Sequence, residues 1–123
     1  DGILSGLYIL DFMVRTGKKP SELIKYLYSK VGTHHYNRID FHFSSEKREA
    51  VVRRLSQLKP DEIDNTKVTK IDTVDGFRFR LNDGSWLLIR LSGTEPVLRI
   101  YAESDSPEHV ERLLKAGKEL AGI

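Results

Sequence analysis

Residues 90–101 read Arg-Leu-Ser-Gly-Thr-Glu-Pro-Val-Leu-Arg-Ile-Tyr, a short polar turn between two apolar strands that each carry an arginine. In this turn two hydroxyl side chains flank a glycine, where the backbone can approach a ligand closely. Successive amides in such a turn can converge on an anion, and arginine offers a permanent, planar charge that suits phosphate oxygens. The stretch therefore predicts an oxyanion site built from Arg90, Ser92, Gly93, Thr94 and Arg99.

The sequence around this turn predicts an antiparallel meander of strands. Residues 75–76 and 82–84 contain Asp-Gly pairs typical of tight turns, and apolar residues alternate with polar ones on either side. The predicted strands cover residues 68–74, 77–81 and 86–91, followed by a strand whose inner face carries Leu98, Ile100 and Ala102. An earlier strand is predicted where Ile39, Phe41 and Phe43 alternate with polar neighbours.

Two helices complete the predicted domain. The first is expected to be capped by Ser44 or Ser45 and to end before Pro60, with Val51 and Leu55 on its apolar face. The second opens at residues 106–108 and continues to the end of the chain. The order β-α-β-β-β-β-α predicts an α+β fold, a two-layer antiparallel sheet with helices on one face.

An apolar helix stands at the start of the chain. Residues 3–14 are apolar on most of the helical circumference, Gly17 is the expected C-cap, and a second helix follows from Pro20 to near Gly32. Such a helix needs neighbours that this sequence does not supply. Residues 1–33 are therefore predicted to be the last helices and linker of a preceding domain, with 34–123 as the C-terminal domain. Alone, the chain is expected to dimerise through 3–14 or to fold that segment back onto its sheet.

Composition excludes several classes of protein. The 123 residues are 39% hydrophobic and 31% charged, without an apolar run long enough to span a membrane. The sequence contains no cysteine, which rules out disulfides and thiolate metal sites and suits a cytoplasmic protein. The 20 basic and 18 acidic residues are interspersed and give a net charge of +2, so no footprint for nucleic acid stands out.

The segment Arg90-Leu-Ser-Gly-Thr-Glu-Pro, followed by Arg99 and preceded by Asp83-Gly-Ser-Trp, resembles the C-terminal domain of the α-D-phosphohexomutases. This family includes phosphoglucomutase, phosphomannomutase and phosphoglucosamine mutase. The resemblance covers nearly the whole chain: the first helix looks like the end of the family's third domain, and residues 36–123 look like the fourth. The motif is specific because turn chemistry, strand order and flanking elements agree.

The resemblance implies a division of labour between domains. A phosphoserine in the first domain exchanges phosphoryl groups with the sugar, Mg²⁺ held by carboxylates in the second assists, and the third reads the sugar. The fourth grips the phosphate already on a hexose phosphate or bisphosphate. By this resemblance Arg90, Ser92, Gly93 and Thr94 line the phosphate site, and Arg99 is a ligand or a support. We expect no catalytic residue, metal or cofactor in this chain, the upstream domains as its partners, and no activity of this piece alone.

The resemblance also concerns the identity of residue 93 and the direction of Glu95. The family often has asparagine where Gly93 stands, and glycine is a familiar variant that lacks only a side-chain donor. Pro96 favours an extended conformation for Glu95, so the Glu95 carboxylate is expected to point away from the ligand.

Each feature also has a simpler interpretation. The turn could be an ordinary hairpin loop, and Arg99 could pair with Glu103 on its own strand face. The pair His34-His35 could suggest a metal, although adjacent residues of an extended chain point to opposite sides. The helical cations Lys47, Arg48, Arg53 and Arg54 are interpreted as a solvated face and not as a docking patch.

A second class of function starts from the sheet. A small sheet exposing Arg78, Arg80, Arg99 and Tyr101 could form a nucleic-acid-binding module that stacks bases on its surface. The glycine-aromatic signature of such sheets is missing, so phosphate binding remains the favoured interpretation.

Overall fold

A computed structural model describes residues 1–123, except for the side chain of Ser45. The contacts of the chain form two compact units, Asp1–Thr33 and His34–Ile123. The elements of the chain are α1 (Gly2–Thr16), α2 (Pro20–Val31), β1 (His35–His42), a 3₁₀ turn (Ser45–Lys47), α3 (Arg48–Gln57), β2 (Glu62–Ile63), β3 (Thr66–Asp72), β4 (Phe77–Leu81), β5 (Trp86–Leu91), β6 (Val97–Ser104) and α4 (Pro107–Ala121). None of the described helices has the length and apolar character needed to cross a membrane.

The first unit consists of α1 and α2. The Asp1 carboxylate caps α1 by accepting the amides of Ile3 and Leu4, and Gly17 ends it in a left-handed conformation, as predicted. Within α1 no residue is buried, and the large apolar side chains remain exposed, from Phe12 at 43% to Ile3 at 80%. The assignment of this unit to a preceding domain stays a prediction.

The second unit is one antiparallel sheet with helices on one face, which confirms the predicted fold class. The strand order is β1-β6-β5-β4-β3-β2. The inner face packs against α3 and α4, where Phe79, Leu87, Ile89, Leu98 and Ile100 are fully buried with Leu55 and Leu113. Full burial of each such side chain contributes about 1.5–3 kcal/mol, so this layer holds the strands in place.

The β4–β5 turn shows how a local side chain fixes strand geometry. Asp83 accepts hydrogen bonds from the Ser85 amide at 2.9 Å and the Ser85 hydroxyl at 2.6 Å. Although burial opposes ionisation, these hydrogen bonds hold the pKa of Asp83 below its usual value. A charged side chain therefore closes the turn before β5, the strand that carries Arg90.

The structure corrects three predicted boundaries. Between the predicted helix that ends before Pro60 and the predicted strand at 68–74, where the sequence predicts no element, lies the short strand β2, which pairs with β3. Strand β3 ends at Asp72, and Val74 lies in the turn, 99% exposed. Helix α3 has Lys47 as its N-cap without a side-chain hydrogen bond, because a lysine side chain has no acceptor. The preceding 3₁₀ turn is closed by the Lys47 amide, which donates to the Ser44 carbonyl. The predicted cap at Ser45 lies outside the described side chains.

Candidate anion-binding site

The loop at residues 92–96 joins β5 to β6 and is anchored at both ends. The Ser92 amide donates to the Val97 carbonyl at 2.8 Å, which closes the hairpin. The Phe43 amide, just after β1, donates to the Pro96 carbonyl at 3.0 Å. Since one bond fixes the loop's base and the other ties it to the next strand of the sheet, a ligand would meet a largely prearranged loop.

Polar groups of this loop remain available to a ligand. Within the described part of the chain, the amides of Gly93 and Thr94 donate to no protein acceptor. Ser92 is buried, and its hydroxyl oxygen accepts the Glu95 amide at 3.4 Å, which leaves the hydroxyl proton to donate elsewhere. Thr94 is exposed. No atom lies within 4 Å of a Cβ built on Gly93, so a larger side chain has room at this position.

The two predicted arginines lie directly opposite each other. Arg90 of β5 pairs in register with Arg99 of β6, on the sheet face away from the helices. Their side chains are 44% and 29% exposed. Two like charges at opposed strand positions repel each other, so the pair is favoured only when anions lie beside it.

Carboxylates supply those anions in the structure. Asp75 approaches the Arg90 Nε at 3.0 Å. Asp40 approaches the Arg99 Nε and Glu95 its Nη2, both at 3.6 Å. The prediction that the Glu95 carboxylate points away from the site is wrong, because this carboxylate pairs with Arg99, a candidate ligand of the anion. The alternative pair Arg99–Glu103 is not the one formed, because Glu103 contacts His34 at 3.0 Å.

The position of Asp75 depends on a close backbone approach. Gly76 has φ of +94°, and a Cβ there would lie 2.7 Å from the Ile89 carbonyl oxygen and 3.1 Å from the Arg90 Cα. Only glycine fits without displacement. The β3–β4 turn is thus seated directly on the backbone of Arg90, which brings Asp75 to the arginine.

Arg48 is a neighbour of the site that sequence reasoning missed. Its Nη1 donates to the Ser92 carbonyl at 2.7 Å from the start of α3. Arg54, on the same helix, donates to the carbonyls of Leu120 at 2.8 Å and Glu119 at 3.2 Å. The interpretation of these cations as a solvated face is wrong for Arg48, which is half-buried, whereas Arg54 remains exposed while it makes these bonds. No pattern in the sequence signals a hydrogen bond to a main-chain carbonyl 44 residues away.

A small depression adjoins the loop. It has a volume of about 260 Å³ and is lined by Phe43, Arg48 and residues 93–96. A larger depression, about 620 Å³, lies elsewhere between β1, α3 and the chain end, with Phe41, Lys47 and Arg54 in its wall. Because the unpaired backbone amides lie at the loop, we place the candidate site there and not in the larger depression.

The remaining cations of the open sheet face are mostly paired. Asp72 contacts Lys70 at 2.9 Å and Arg80 at 3.1 Å, and the hydrogen bond from Lys70 is the main cause that holds the pKa of Asp72 below its usual value. Arg78 stacks over Trp86 at 4.8 Å. This balance of charge differs from the free basic surface that nucleic acid would require. Among the described residues, no group of three or more metal-ligating side chains is placed to hold an ion.

Comparisons with known proteins show which family the chain belongs to. Residues 45–119 match the family described as phosphoglucomutase/phosphomannomutase, C-terminal domain. The chain is 35% identical to the phosphoglucomutase/phosphomannomutase of Thermococcus kodakarensis, over 98% of this chain and 24% of that protein. It is 37% identical to a probable phosphoglucosamine mutase of Methanosphaera stadtmanae, over 97% of this chain and 25% of that protein. A phosphopentomutase of T. kodakarensis is 34% identical over 77% of this chain and 20% of its own length.

The match covers the helix that carries Arg48, the loop at 92–96 and both arginine-bearing strands. The chain spans about a quarter of the length of the first two relatives. Because the family match extends over more than half of its residues, the chain belongs to the phosphoglucomutase/phosphomannomutase family, and residues 45–119 correspond to the family's C-terminal domain.

Proposed function

We propose that the loop at 92–96, with Arg90 and Arg99, binds the phosphate group of a sugar phosphate in a phosphohexomutase of which this chain forms one part. The observation that carries the proposal is the opposed arginine pair at the base of a loop with two unpaired amides. An anion bound there would take the place of the carboxylates beside the arginines and accept hydrogen bonds from the two amides. Phosphate suits such a site because it offers several strong acceptor oxygens to forked donors.

The names of the relatives support phosphate as the recognised group. One is named for glucose and mannose phosphates, one for glucosamine phosphate and one for a pentose phosphate. These sugars differ in ring size and substituents, whereas each substrate carries a phosphate. A domain shared by all three relatives is therefore suited to reading the phosphate, with the sugar read elsewhere.

The proposed site fits the demands of a mutase. In the reaction that the family resemblance implies, the bisphosphorylated intermediate turns over, so that either phosphate must occupy the same site. Amides, hydroxyls and arginine forks bind a phosphate wherever the sugar lies, and each charge-assisted hydrogen bond contributes about 1.5–3 kcal/mol. Holding the remote phosphate also orients the reacting end of the substrate.

The chemistry of phosphoryl transfer is assigned to other parts of the protein. The residues described here do not fit a Mg²⁺ site, because no carboxylate cluster of three or more groups is available. That this piece is inactive alone and that the parent enzyme is cytoplasmic stay predictions.

A titration of the ¹⁵N-labelled chain with glucose 1-phosphate tests the proposal. The amides of Gly93 and Thr94 are expected to shift first, and glucose without phosphate should leave them unmoved. Arg90→Ala should weaken binding about tenfold, since a charged donor to phosphate is lost. Arg80→Ala is the matched control, because it removes a similarly exposed arginine, paired with a carboxylate on the same sheet face.

Two results would contradict the proposed function. Equal affinities of the two arginine variants for glucose 1-phosphate would remove Arg90 from the site. A single-stranded oligonucleotide that perturbs the amides of β4, β5 and β6 at lower concentration than glucose 1-phosphate would favour the nucleic-acid module.

A further inference from the structure

Arg48 reaches the candidate loop from the opposite side to the two sheet arginines. Helix α3 packs by Val51 and Leu55 into the core on the helix-bearing face of the sheet. From its first residue, the half-buried Arg48 side chain donates to the Ser92 carbonyl at 2.7 Å. Arg90 and Arg99 lie on the other face. The loop is therefore contacted from the helix side by an arginine that the proposed function does not yet use.

The hydrogen bond from Arg48 to the Ser92 carbonyl fixes the orientation of the peptide group between Ser92 and Gly93. A trans peptide is planar, and its C=O and N–H point in opposite directions. Because the Ser92 carbonyl is drawn toward α3, the Gly93 N–H of the same peptide points away from the helix layer. That is the side on which Arg90 and Arg99 lie.

The other hydrogen bonds of the loop do not involve the peptide group between Ser92 and Gly93. The Ser92 amide is held by Val97, and the Glu95 amide by the Ser92 hydroxyl, but both amides belong to other peptide groups. Among the described residues, Arg48 provides the hydrogen bond recorded for the Ser92 carbonyl. Without that bond the peptide could rotate and point its N–H away from a ligand.

We infer that Arg48 is a positioning residue, which fixes the Ser92–Gly93 peptide so that the Gly93 amide faces the bound phosphate. The inference rests on the proposed function and deepens it, since it names what prearranges the phosphate site. Arg48 acts through the loop and does not contact the phosphate. Arg48 also lines the small depression beside the loop, but α3 lies on the sheet face opposite Arg90 and Arg99, so the inference places the phosphate on the far side of the loop from Arg48.

Arg54 provides a matched control for Arg48. Both arginines belong to α3, and both donate to main-chain carbonyls, Arg54 at the end of α4 and Arg48 at the loop. Replacing either by alanine removes a guanidinium–carbonyl bond from the same helix, but only one replacement touches the Ser92–Gly93 peptide.

The experiment compares the wild-type chain with Arg48→Ala and Arg54→Ala by ¹⁵N NMR, first free and then titrated with inorganic phosphate. In the free chain, Arg48→Ala should lower the heteronuclear NOE of Gly93 and Thr94, and Arg54→Ala should not. With phosphate, Arg48→Ala should raise Kd about three- to tenfold, while Arg54→Ala stays within about twofold of wild type. Urea titrations confirm that each variant is folded under these conditions.

Salt dependence separates positioning from direct contact. A residue that only orients the loop leaves the slope of log Kd against log salt unchanged, whereas Arg90→Ala should reduce that slope because a contacting charge is lost. A reduced slope in Arg48→Ala would make Arg48 a ligand and overturn the inference. Equal phosphate affinity of Arg48→Ala and wild type would also overturn it while leaving the proposed function intact. Failure of the wild-type chain to bind any phosphate would instead refute the proposed function, and the inference with it.

Discussion

Asp75 lies 3.0 Å from Arg90, and Glu95 lies 3.6 Å from Arg99, so each sheet arginine already has a carboxylate beside it. A phosphate that binds these arginines must compete with the carboxylates. Both acids are well exposed, Asp75 at 71% and Glu95 at 62%, and can turn into solvent at little cost. Binding at this site is therefore an exchange of anions, and its affinity is lower than the number of donors suggests.

Asp75→Asn should tighten the binding of glucose 1-phosphate about two- to fivefold, because it removes the carboxylate that competes for Arg90. The measurement is an NMR or calorimetric titration at low ionic strength, where exposed charges are least screened. Asp72→Asn is the control, since it removes a carboxylate from Arg80 on the same sheet face. A Kd of Asp75→Asn that rises, or that changes no more than in the control, would show that Asp75 is no competitor.

Individual residues differed in how far the sequence could predict them. The shared face of Arg90 and Arg99 follows from the strand period of two and a turn of known length, so both were predictable. Arg48 and Asp40 were not, because their contacts arise from packing of α3 and pairing of β1 with β6. The positions of Arg90 and Arg99 follow from local sequence, whereas those of the supporting residues Arg48 and Asp40 depend on tertiary structure.

At the scale of elements, α4 and the sheet meet at a glycine. A Cβ on Gly117 would lie 2.6 Å from the Ile100 Cγ2 and 3.0 Å from a Leu87 methyl carbon. Helix and sheet therefore approach more closely here than an alanine would permit. The contact lies behind β5 and β6, the two strands that carry Arg90 and Arg99.

Gly117→Ala should lower the free energy of unfolding of the second unit by about 1 kcal/mol. Overpacking costs about 1–3 kcal/mol, and the better helix propensity of alanine returns at most about 1 kcal/mol. Urea denaturation followed by the fluorescence of Trp86, the single tryptophan, measures the change. Gly6→Ala makes the same substitution in α1, where no atom lies within 4 Å of the added carbon, and should leave the Trp86 transition unchanged. A Gly117→Ala variant as stable as wild type would show that the sheet yields to the extra carbon.

Element order was more predictable than element limits. The alternation of apolar and polar residues predicted the long strands, and apolar residues at helical spacing predicted α3 and α4. Both patterns reflect which face of an element is buried. Strand β2 escaped prediction since its two residues are too few to show a period. The end of β3 was misjudged because Val74 favours a strand by composition, yet the close approach of Gly76 to the Arg90 backbone bends the chain earlier.

For the molecule as a whole, the exposed apolar surface of α1 is the largest unexplained feature. Leu7, Ile9 and Val14 are each more than half exposed, in a helix that buries no residue within this chain. A surface of that kind is an association site.

We expect the isolated chain to dimerise through residues 3–14. Light scattering after size exclusion should give a mass near twice 14.1 kDa at high micromolar concentration. Leu7→Glu should return the chain to a monomer, since a charge would enter the apolar contact, whereas Lys25→Glu on exposed α2 should not. A monomeric wild-type chain whose α1 amides exchange rapidly would refute the dimer.

The opposed pair of Arg90 and Arg99 also has a consequence for the life of the protein in the cell. A phosphate that replaces the carboxylates beside these arginines binds only the folded site, and a ligand that binds only the native state shifts the unfolding equilibrium toward that state. If the site binds sugar phosphates as proposed, the fraction of molecules open to proteolysis falls when phosphorylated sugar is plentiful. Supply of the metabolite would then help to set how long this domain survives.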